Sequence, residues 1–283
     1  MHKIALALAA GLATCHANDL TIIYTEIPGH PTASIPGVLD ASGLPTFSEF
    51  RQISDLQVSA DGTHWFIRAR TQLGSDLENI MLKGSGTTGS AFAQEGQVML
   101  GGAPGEVYDF FDGEGTILED GSLVFGARAR GGDNNVFEKI IHVDASNTHT
   151  IRIQMGDPAF GLTDNPPIDS GDETFGNSLN GIHMLADGTV GFVAVTISNI
   201  SSTRRPALFY DDQAFLQSGV STIMTLLPAL DTWDSFDSDD FGTSLSGETW
   251  YAQGDTEGLT DTDDILVVNN VVVAQEGLVI PGT

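Results

Sequence analysis

Asp61-Gly62-Thr63-His64-Trp65-Phe66-Ile67-Arg68-Ala69 is a turn dipeptide followed by a β-prone run, and the chain writes it again three times. The echoes are Asp120-Gly121-Ser122-Leu123-Val124-Phe125-Gly126-Ala127-Arg128, Asp187-Gly188-Thr189-Val190-Gly191-Phe192-Val193-Ala194-Val195 and Ser246-Gly247-Glu248-Thr249-Trp250-Tyr251-Ala252-Gln253-Gly254. Their starts lie 59, 67 and 59 residues apart, a repeat period of roughly sixty residues. Asp-Gly accepts the positive φ angles of a two-residue hairpin turn, so each unit is expected to open as a β-hairpin.

Working outward, the strand before each turn reads as Ile53 to Ser59, Gly115 to Leu118, Ile182 to Leu185 and, more weakly, Phe241 to Leu245. Aromatic residues precede them: Phe47 and Phe50, Tyr108 with Phe110 and Phe111, Phe175, and Trp233 with Phe236. Such rings are expected to plug the gap between neighbouring sheets. Third strands follow at Asn79 to Leu82, Val136 to Val143, Ala207 to Tyr210 and Ile265 to Val268. A closing strand carries the clearest echo: Ala93-Gln94-Glu95-Gly96 returns as Ala274-Gln275-Glu276-Gly277, with Ile153-Gln154-Met155-Gly156 between them. In the third unit Ser221 to Leu227 takes that place without the motif.

The expected fold class is therefore all-β, a β-propeller-like array of four-stranded antiparallel units, with a linear β stack as the alternative. Residues 1–17 read as a signal peptide, and residues 18–283 as a single β-repeat domain with units near 38–105, 106–165, 166–230 and 231–283. Residues 20–29 read as an extra strand ahead of the first unit. The ending on Pro281-Gly282-Thr283, where another unit would begin, points to a longer parent chain.

Composition agrees with this class. The chain has 283 residues, 41% of them apolar, and its 33 glycines suit short strands and tight turns better than long helices. Met1-His2-Lys3, the apolar run Ile4 to Ala13 and the small-residue exit ending at Ala17 form a leader with cleavage expected after Ala17. Export follows, with a lipid on Cys15 as the minor alternative. No later run is long enough for an integral membrane segment. Cys15 is the single cysteine, so the mature chain has no disulfide. Eleven basic against 38 acidic residues, net −27, exclude nucleic acid and anionic lipid as partners.

Written as units, the chain resembles a repeat family of uncharacterised secreted bacterial proteins. The resemblance covers about Leu20 to Thr283 and rests on Asp120-Gly121, Phe125, Asp187-Gly188, Phe192 and Val273-Ala274-Gln275-Glu276-Gly277 with Pro281-Gly282. Leu278 departs from it, standing where the family pattern has aspartate. The resemblance implies a propeller-like fold and an extracellular location, and it brings no catalytic residues.

Chemistry is sparse. There is no Gly-x-Ser-x-Gly elbow, and the recurring Phe175-Gly176-Asn177-Ser178-Leu179-Asn180-Gly181 and Phe241-Gly242-Thr243-Ser244-Leu245-Ser246-Gly247 read as shared turn structure. His30, His64, His142, His149 and His183 form no zinc-like pair. Acidic loops are the candidate metal sites: Asp234, Asp237, Asp239 and Asp240 in one, and Asp261, Asp263 and Asp264 beside Asp255 and Glu257 in another. Clustered carboxylates repel unless solvated or bridged, and calcium is the hard cation that takes oxygen ligands. A third cluster is Asp169, Asp172 and Glu173. The residues favour a non-enzymatic extracellular module binding a protein or glycan. A polysaccharide-active hydrolase or lyase using loop carboxylates is the alternative, as is a structural segment of a longer surface protein.

Overall fold

A computed structural model describes residues 23–132, 137–163, 173–197, 205–227 and 229–278. The expected leader, Cys15, residues 20–22, the Val136 start of one strand, Asp169, Asp172 and Pro281-Gly282 lie outside them. The structure is all-β, with one short 3₁₀ turn at Pro31–Ala33 among the described residues. Among the described residues no helix is long and apolar enough to cross a membrane.

Four antiparallel sheets each contain four strands in sequence order. The first holds β1 (Phe50–Val58), β2 (His64–Thr71), β3 (Asn79–Ser85) and β4 (Thr88–Gln94). The second holds β5 (Val107–Ile117), β6 (Leu123–Arg130), β7 (Glu138–Val143) and β8 (His149–Gln154). The third holds β9 (Thr174–Met184), β10 (Val190–Ile197), β11 (Arg205–Tyr210) and β12 (Gln213–Gln217). A two-stranded ribbon of β13 (Thr222–Met224) and β14 (Leu230–Thr232) precedes the last sheet. That sheet holds β15 (Phe241–Thr243), β16 (Trp250–Asp255), β17 (Asp264–Val268) and β18 (Val271–Gln275). Each is the meander of a propeller blade.

The chain divides into two compact units, Met1–Phe137 with Ile141–Ile151, and Glu138–Ile140 with Arg152–Thr283. In the first, Phe66, Tyr108, Phe111 and Phe125 are buried in one apolar cluster, while Phe50, Trp65 and Ile80 belong to a second. In the second unit Trp233, Phe236, Phe241 and Trp250 share a cluster, and Phe175, Phe192 and Phe209 pack ring on ring at 4.9 to 5.4 Å. The lead-in aromatics thus mostly do what their position suggests. Phe47, 70% exposed, and Phe110, half-buried under the Arg68 and Arg128 guanidinium groups, are the exceptions.

The opening hairpins stand where Asp61, Asp120, Asp187 and Ser246 place them, yet their loops have three or four residues instead of two. In the second sheet Leu118 and Ser122 close the loop, the Leu118 amide donating to the Ser122 carbonyl oxygen at 2.8 Å. Gly121 alone takes positive φ, +82°, and the Asp120 carboxylate accepts the Ser122 amide at 2.8 Å. Asp61 and Asp187 accept the amides of Thr63 and Thr189 in the same manner, at 3.0 and 2.9 Å. An aspartate that bonds the backbone two residues on holds the right-handed turn, which leaves the left-handed residue to glycine.

The closing motif has a physical meaning. Gln94 clasps the Leu39 backbone from both sides, its Oε1 accepting the amide at 2.8 Å and its Nε2 donating to the carbonyl at 2.9 Å. Gln217 does the same to Thr163 at 2.7 and 2.9 Å. Gln275 takes the Leu226 amide at 2.9 Å and donates to the Thr262 carbonyl at 2.6 Å. Each glutamine therefore ties its closing strand to a segment that precedes its own sheet. The glycine two residues later adopts positive φ and donates its amide to the next aromatic lead-in: Gly96 to Tyr108, Gly156 to Phe175 and Gly219 to Trp233.

Gln217 and Gly219 correct the reading of the third unit. Its closing strand is β12, and Ser221 to Leu227 instead supplies the ribbon strand β13. The motif survives there as Gln217-Ser218-Gly219, which keeps the clasping glutamine and the left-handed glycine; in the second sheet Gln154 instead bonds Lys139 and Asp157. Residues 23–29 likewise form no strand. Tyr24 packs on Phe50 at 5.0 Å, and Glu26 Oε1 accepts the Ile53 amide at 2.7 Å, so side chains anchor a segment that Pro28 and Pro31 interrupt.

Candidate functional site

In the second unit a groove of about 610 Å³ opens between the third and fourth sheets. Tyr210 at the end of β11, Phe215 on β12 and Trp250 at the start of β16 line it. Phe215 stands 5.2 Å from Tyr210 and meets Trp250 at 5.0 Å with the rings perpendicular. Phe215 is 36% exposed, so one ring of the row faces solvent. Burial pushes the Tyr210 hydroxyl up to about 12, further from neutral pH than an ordinary tyrosine.

The polar side of the groove comes from two turns. Asn269 and Asn270 take positive φ, 47° and 63°, the pair of left-handed residues that a tight hairpin turn requires. The Asn269 side chain accepts the Trp250 amide at 2.9 Å and donates to the Glu248 carbonyl at 3.2 Å, which fastens the β17–β18 turn to the β15–β16 turn. Among the described residues Glu248 is the one carboxylate of the lining. The groove thus offers one exposed aromatic ring, Phe215, backed by Tyr210 and the buried Trp250, with amide, hydroxyl and carboxylate groups at the edge.

In the first unit a cleft of about 410 Å³ occupies the corresponding place between the first and second sheets. Lys83 on β3, Phe92 on β4, and the β5–β6 and β7–β8 turns form its walls. Hydrogen bonds, led by the Ser59 hydroxyl, hold the Asp61 carboxyl of the same unit at about 2. Ser122 and Ser146 likewise hold Asp120 and Asp144 below the ordinary range.

His149, also in this cleft, has its Nδ1 3.1 Å from the Tyr108 hydroxyl. Burial pulls its imidazole down to about 4 from 6.5, the Lys83 ammonium adds to the fall and Asp144 opposes it. A folded-state value below the unfolded one means the neutral ring stabilises the fold. That contribution is complete above about pH 6.5 and is lost as the pH falls toward about 4. Because the cleft admits water, the loss is expected on the order of 2 kcal/mol. Urea unfolding of the wild type and His149→Gln between pH 7 and 4 reads it as a difference in slope; parallel curves would refute the assignment.

The two acidic loops proposed for calcium do meet in the second unit. Asp237 donates its amide to the Gln253 carbonyl at 3.0 Å, and Asp234 donates to that of Asp255 at 2.8 Å. Burial raises the Asp237 carboxyl, and Asp264, Asp255 and Asp240 add to the rise. Asp234, Asp239, Asp240 and Asp261 are exposed, and the Asp263 carbonyl accepts the Thr256 amide at 3.0 Å. Among the described residues no three His, Cys, Asp or Glu side chains are arranged to hold a metal ion.

The remaining candidates have structural surroundings. His183 sits edge-on to Phe241 at 4.8 Å, its Nδ1 2.8 Å from the Gly181 carbonyl oxygen, and His30 Nδ1 accepts the Thr32 amide at 3.2 Å. Phe175 to Gly181 lies inside β9, whereas Phe241 to Gly247 runs from β15 into a turn. Their likeness is therefore one of composition, and the shared turn expected of them does not exist. Sequence reading passed over Tyr210, Phe215, Trp250 and Lys83 as site residues. The Asn269-Asn270 pair and the rarity of lysine were the available signals.

No protein-family model matches this chain, and no curated protein is similar to it in sequence. Solved structures that this chain matches include the Dos1 propeller, at 12% identity and TM-score 0.33, over 85% of this chain and 50% of that one. Polysaccharide lyase Uly1 matches at 14% identity and TM-score 0.40, over 88% and 53%. A GH43_1 enzyme from Xanthomonas citri matches at 10% identity and TM-score 0.35, over 78% and 71%. This chain spans about half the length of the first two. Scores this low carry nothing about its activity.

Proposed function

We propose that the protein is a non-enzymatic extracellular binding module whose groove in the second unit takes a polyhydroxylated ligand, a glycan chain. The observation that carries this reading is the row Tyr210, Phe215 and Trp250 set beside Asn269, Asn270 and Glu248. The exposed Phe215 ring buries the C–H surface of a sugar ring while amides, hydroxyls and a carboxylate satisfy its hydroxyl groups. Binding is favoured over hydrolysis because a glycosidase needs two carboxylates flanking the scissile bond, and among the described residues this lining supplies Glu248 alone. The leader expected over residues 1–17 supports the extracellular setting.

Titration with neutral hexasaccharides of β-glucan, xylan and mannan is expected to give saturable binding to at least one. Phe215→Ala is expected to weaken it about tenfold, the value of one exposed stacking ring, with little change in unfolding. Chromatography of the same mixtures is expected to show intact oligosaccharide. Unaltered affinity in Phe215→Ala removes the groove from the reading, and cleaved products favour the polysaccharide-active alternative.

A further inference from the structure

Lys83 is one of three lysines in a chain of net charge −27, and it stands in the cleft of the first unit with its ammonium poorly matched. Its one hydrogen bond among the described residues is long, 3.5 Å to the Asp144 carbonyl oxygen, and the Phe92 ring lies 5.9 Å away. An ammonium has three donors. The group is half-buried, and burial lowers its pKa in spite of the opposing fields of Asp144 and Asp120.

Those two carboxylates are committed to their own turns. Asp144 accepts the Ser146 and Thr148 amides, each at 2.8 Å, and Asp120 accepts the Ser122 amide at 2.8 Å. Neither forms an ion pair with Lys83. A half-buried cation with unused donors beside open space is the reverse of the usual economy, in which such groups find acceptors within the protein. Around it the cleft presents Ser85, Ser90 and Asn147, with Phe92 as an apolar wall.

We propose that this cleft binds a hexose-sized, carboxylate-bearing ligand, a sugar acid, with Lys83 taking the carboxylate and the serine and asparagine groups taking hydroxyls. The cleft volume of about 410 Å³ accommodates one such ring. The negative field of the chain, with Asp120 and Asp144 close by, disfavours phosphate or sulfate and leaves a monoanion as the better match. Lys83 supplies a charge-assisted hydrogen bond in a partly dry site, where it is stronger than at an open surface. The site is separate from the groove of the second unit and does not rest on the glycan reading.

Titration of the protein with D-glucuronate at low salt, followed by calorimetry or ligand-observed NMR, tests it. Saturable binding is expected, with glucose and methyl glucuronate each weaker by about tenfold or more, the value of a charged hydrogen bond. Lys83→Met, which keeps the unbranched apolar stem and removes the ammonium, is expected to lose at least as much, and Lys83→Arg to stay within a few-fold of wild type. Phe215→Ala is expected to leave glucuronate binding unchanged. No saturable binding, equal affinity for glucose, tighter binding of inorganic phosphate, or full binding by Lys83→Met would each overturn the proposal. Should Lys83→Met fail to fold, the glucuronate and methyl ester comparison on the wild type decides alone.

Discussion

Phe125→Ala is expected to lower the unfolding free energy by about 3–5 kcal/mol, a large share of the roughly 5–15 kcal/mol that holds an ordinary domain together. The ring has no exposed surface. Phe92 meets it edge-on at 5.5 Å and Phe111 at 6.1 Å, and Phe66, Met81 and Leu123 belong to the same cluster. Alanine would remove the burial of an aromatic side chain and leave a hole between two sheets. Its walls are strands whose backbones are already hydrogen-bonded, so they cannot collapse inward without breaking ladders. Phe125→Leu keeps much of the volume and should cost about 1.5 kcal/mol. Urea unfolding supplies both values, and hydrogen exchange should place the loss of protection in β5 and β6. A Phe125→Ala penalty under about 1 kcal/mol would show that the cluster repacks.

Gly84→Ala is the second large effect, with the opposite geometry. Gly84 pairs with Gly89 across β3 and β4, and the Trp65 indole lies over the pair, its Nε1 donating to the Gly86 carbonyl at 2.9 Å. A β-carbon on Gly84 would press into the Thr88 carbonyl oxygen and Trp65 Cζ2 and stand 2.7 Å from Gly89 Cα. Two of these contacts are backbone, so the clash cannot be relieved by turning a side chain. The indole must leave its bed and give up its hydrogen bond. A cost of about 3 kcal/mol is expected, the upper range for overpacking. Loss of the Trp65 near-ultraviolet dichroism should accompany it. A variant within about 0.5 kcal/mol of wild type, with that signal intact, would refute the account. Because Lys83 is the adjacent residue, Gly84→Ala should also weaken glucuronate binding, whereas Phe125→Leu should leave the Lys83 strand in place.

What could be read locally was read well. Strand positions β2, β6, β10 and β16 follow from Asp-Gly or Ser-Gly and the β-branched and aromatic residues after them, because a turn and its flanking strands are specified within about ten residues. The turn details were less legible. Asp120 reads as a residue ready for positive φ, yet its carboxylate is better used accepting the Ser122 amide, and Gly121 alone bends backward. The Ala-Gln-Glu-Gly repeat was visible as a string, but its purpose was not. Gln94 works on Leu39, and Gln217 on Thr163, 55 and 54 residues earlier in the chain.

The site lay beyond sequence for the same reason at greater range. Trp250 belongs to the repeated strand and Tyr210 carries no motif, so neither marks a groove, and Lys83 is an unremarked residue in a strand until Asp144, sixty-one residues later, arrives beside it. The sequence by itself determined the all-β class, the period of about sixty residues and the hairpin that opens each sheet, since these rest on backbone propensity and near-neighbour turn bonds. The tertiary structure alone decided which strand closes the third sheet, which aromatic rings are buried, and which side chains face one another across the two clefts. Those outcomes depend on how sheets pack, and packing is settled by shape and burial among residues that the chain order keeps apart.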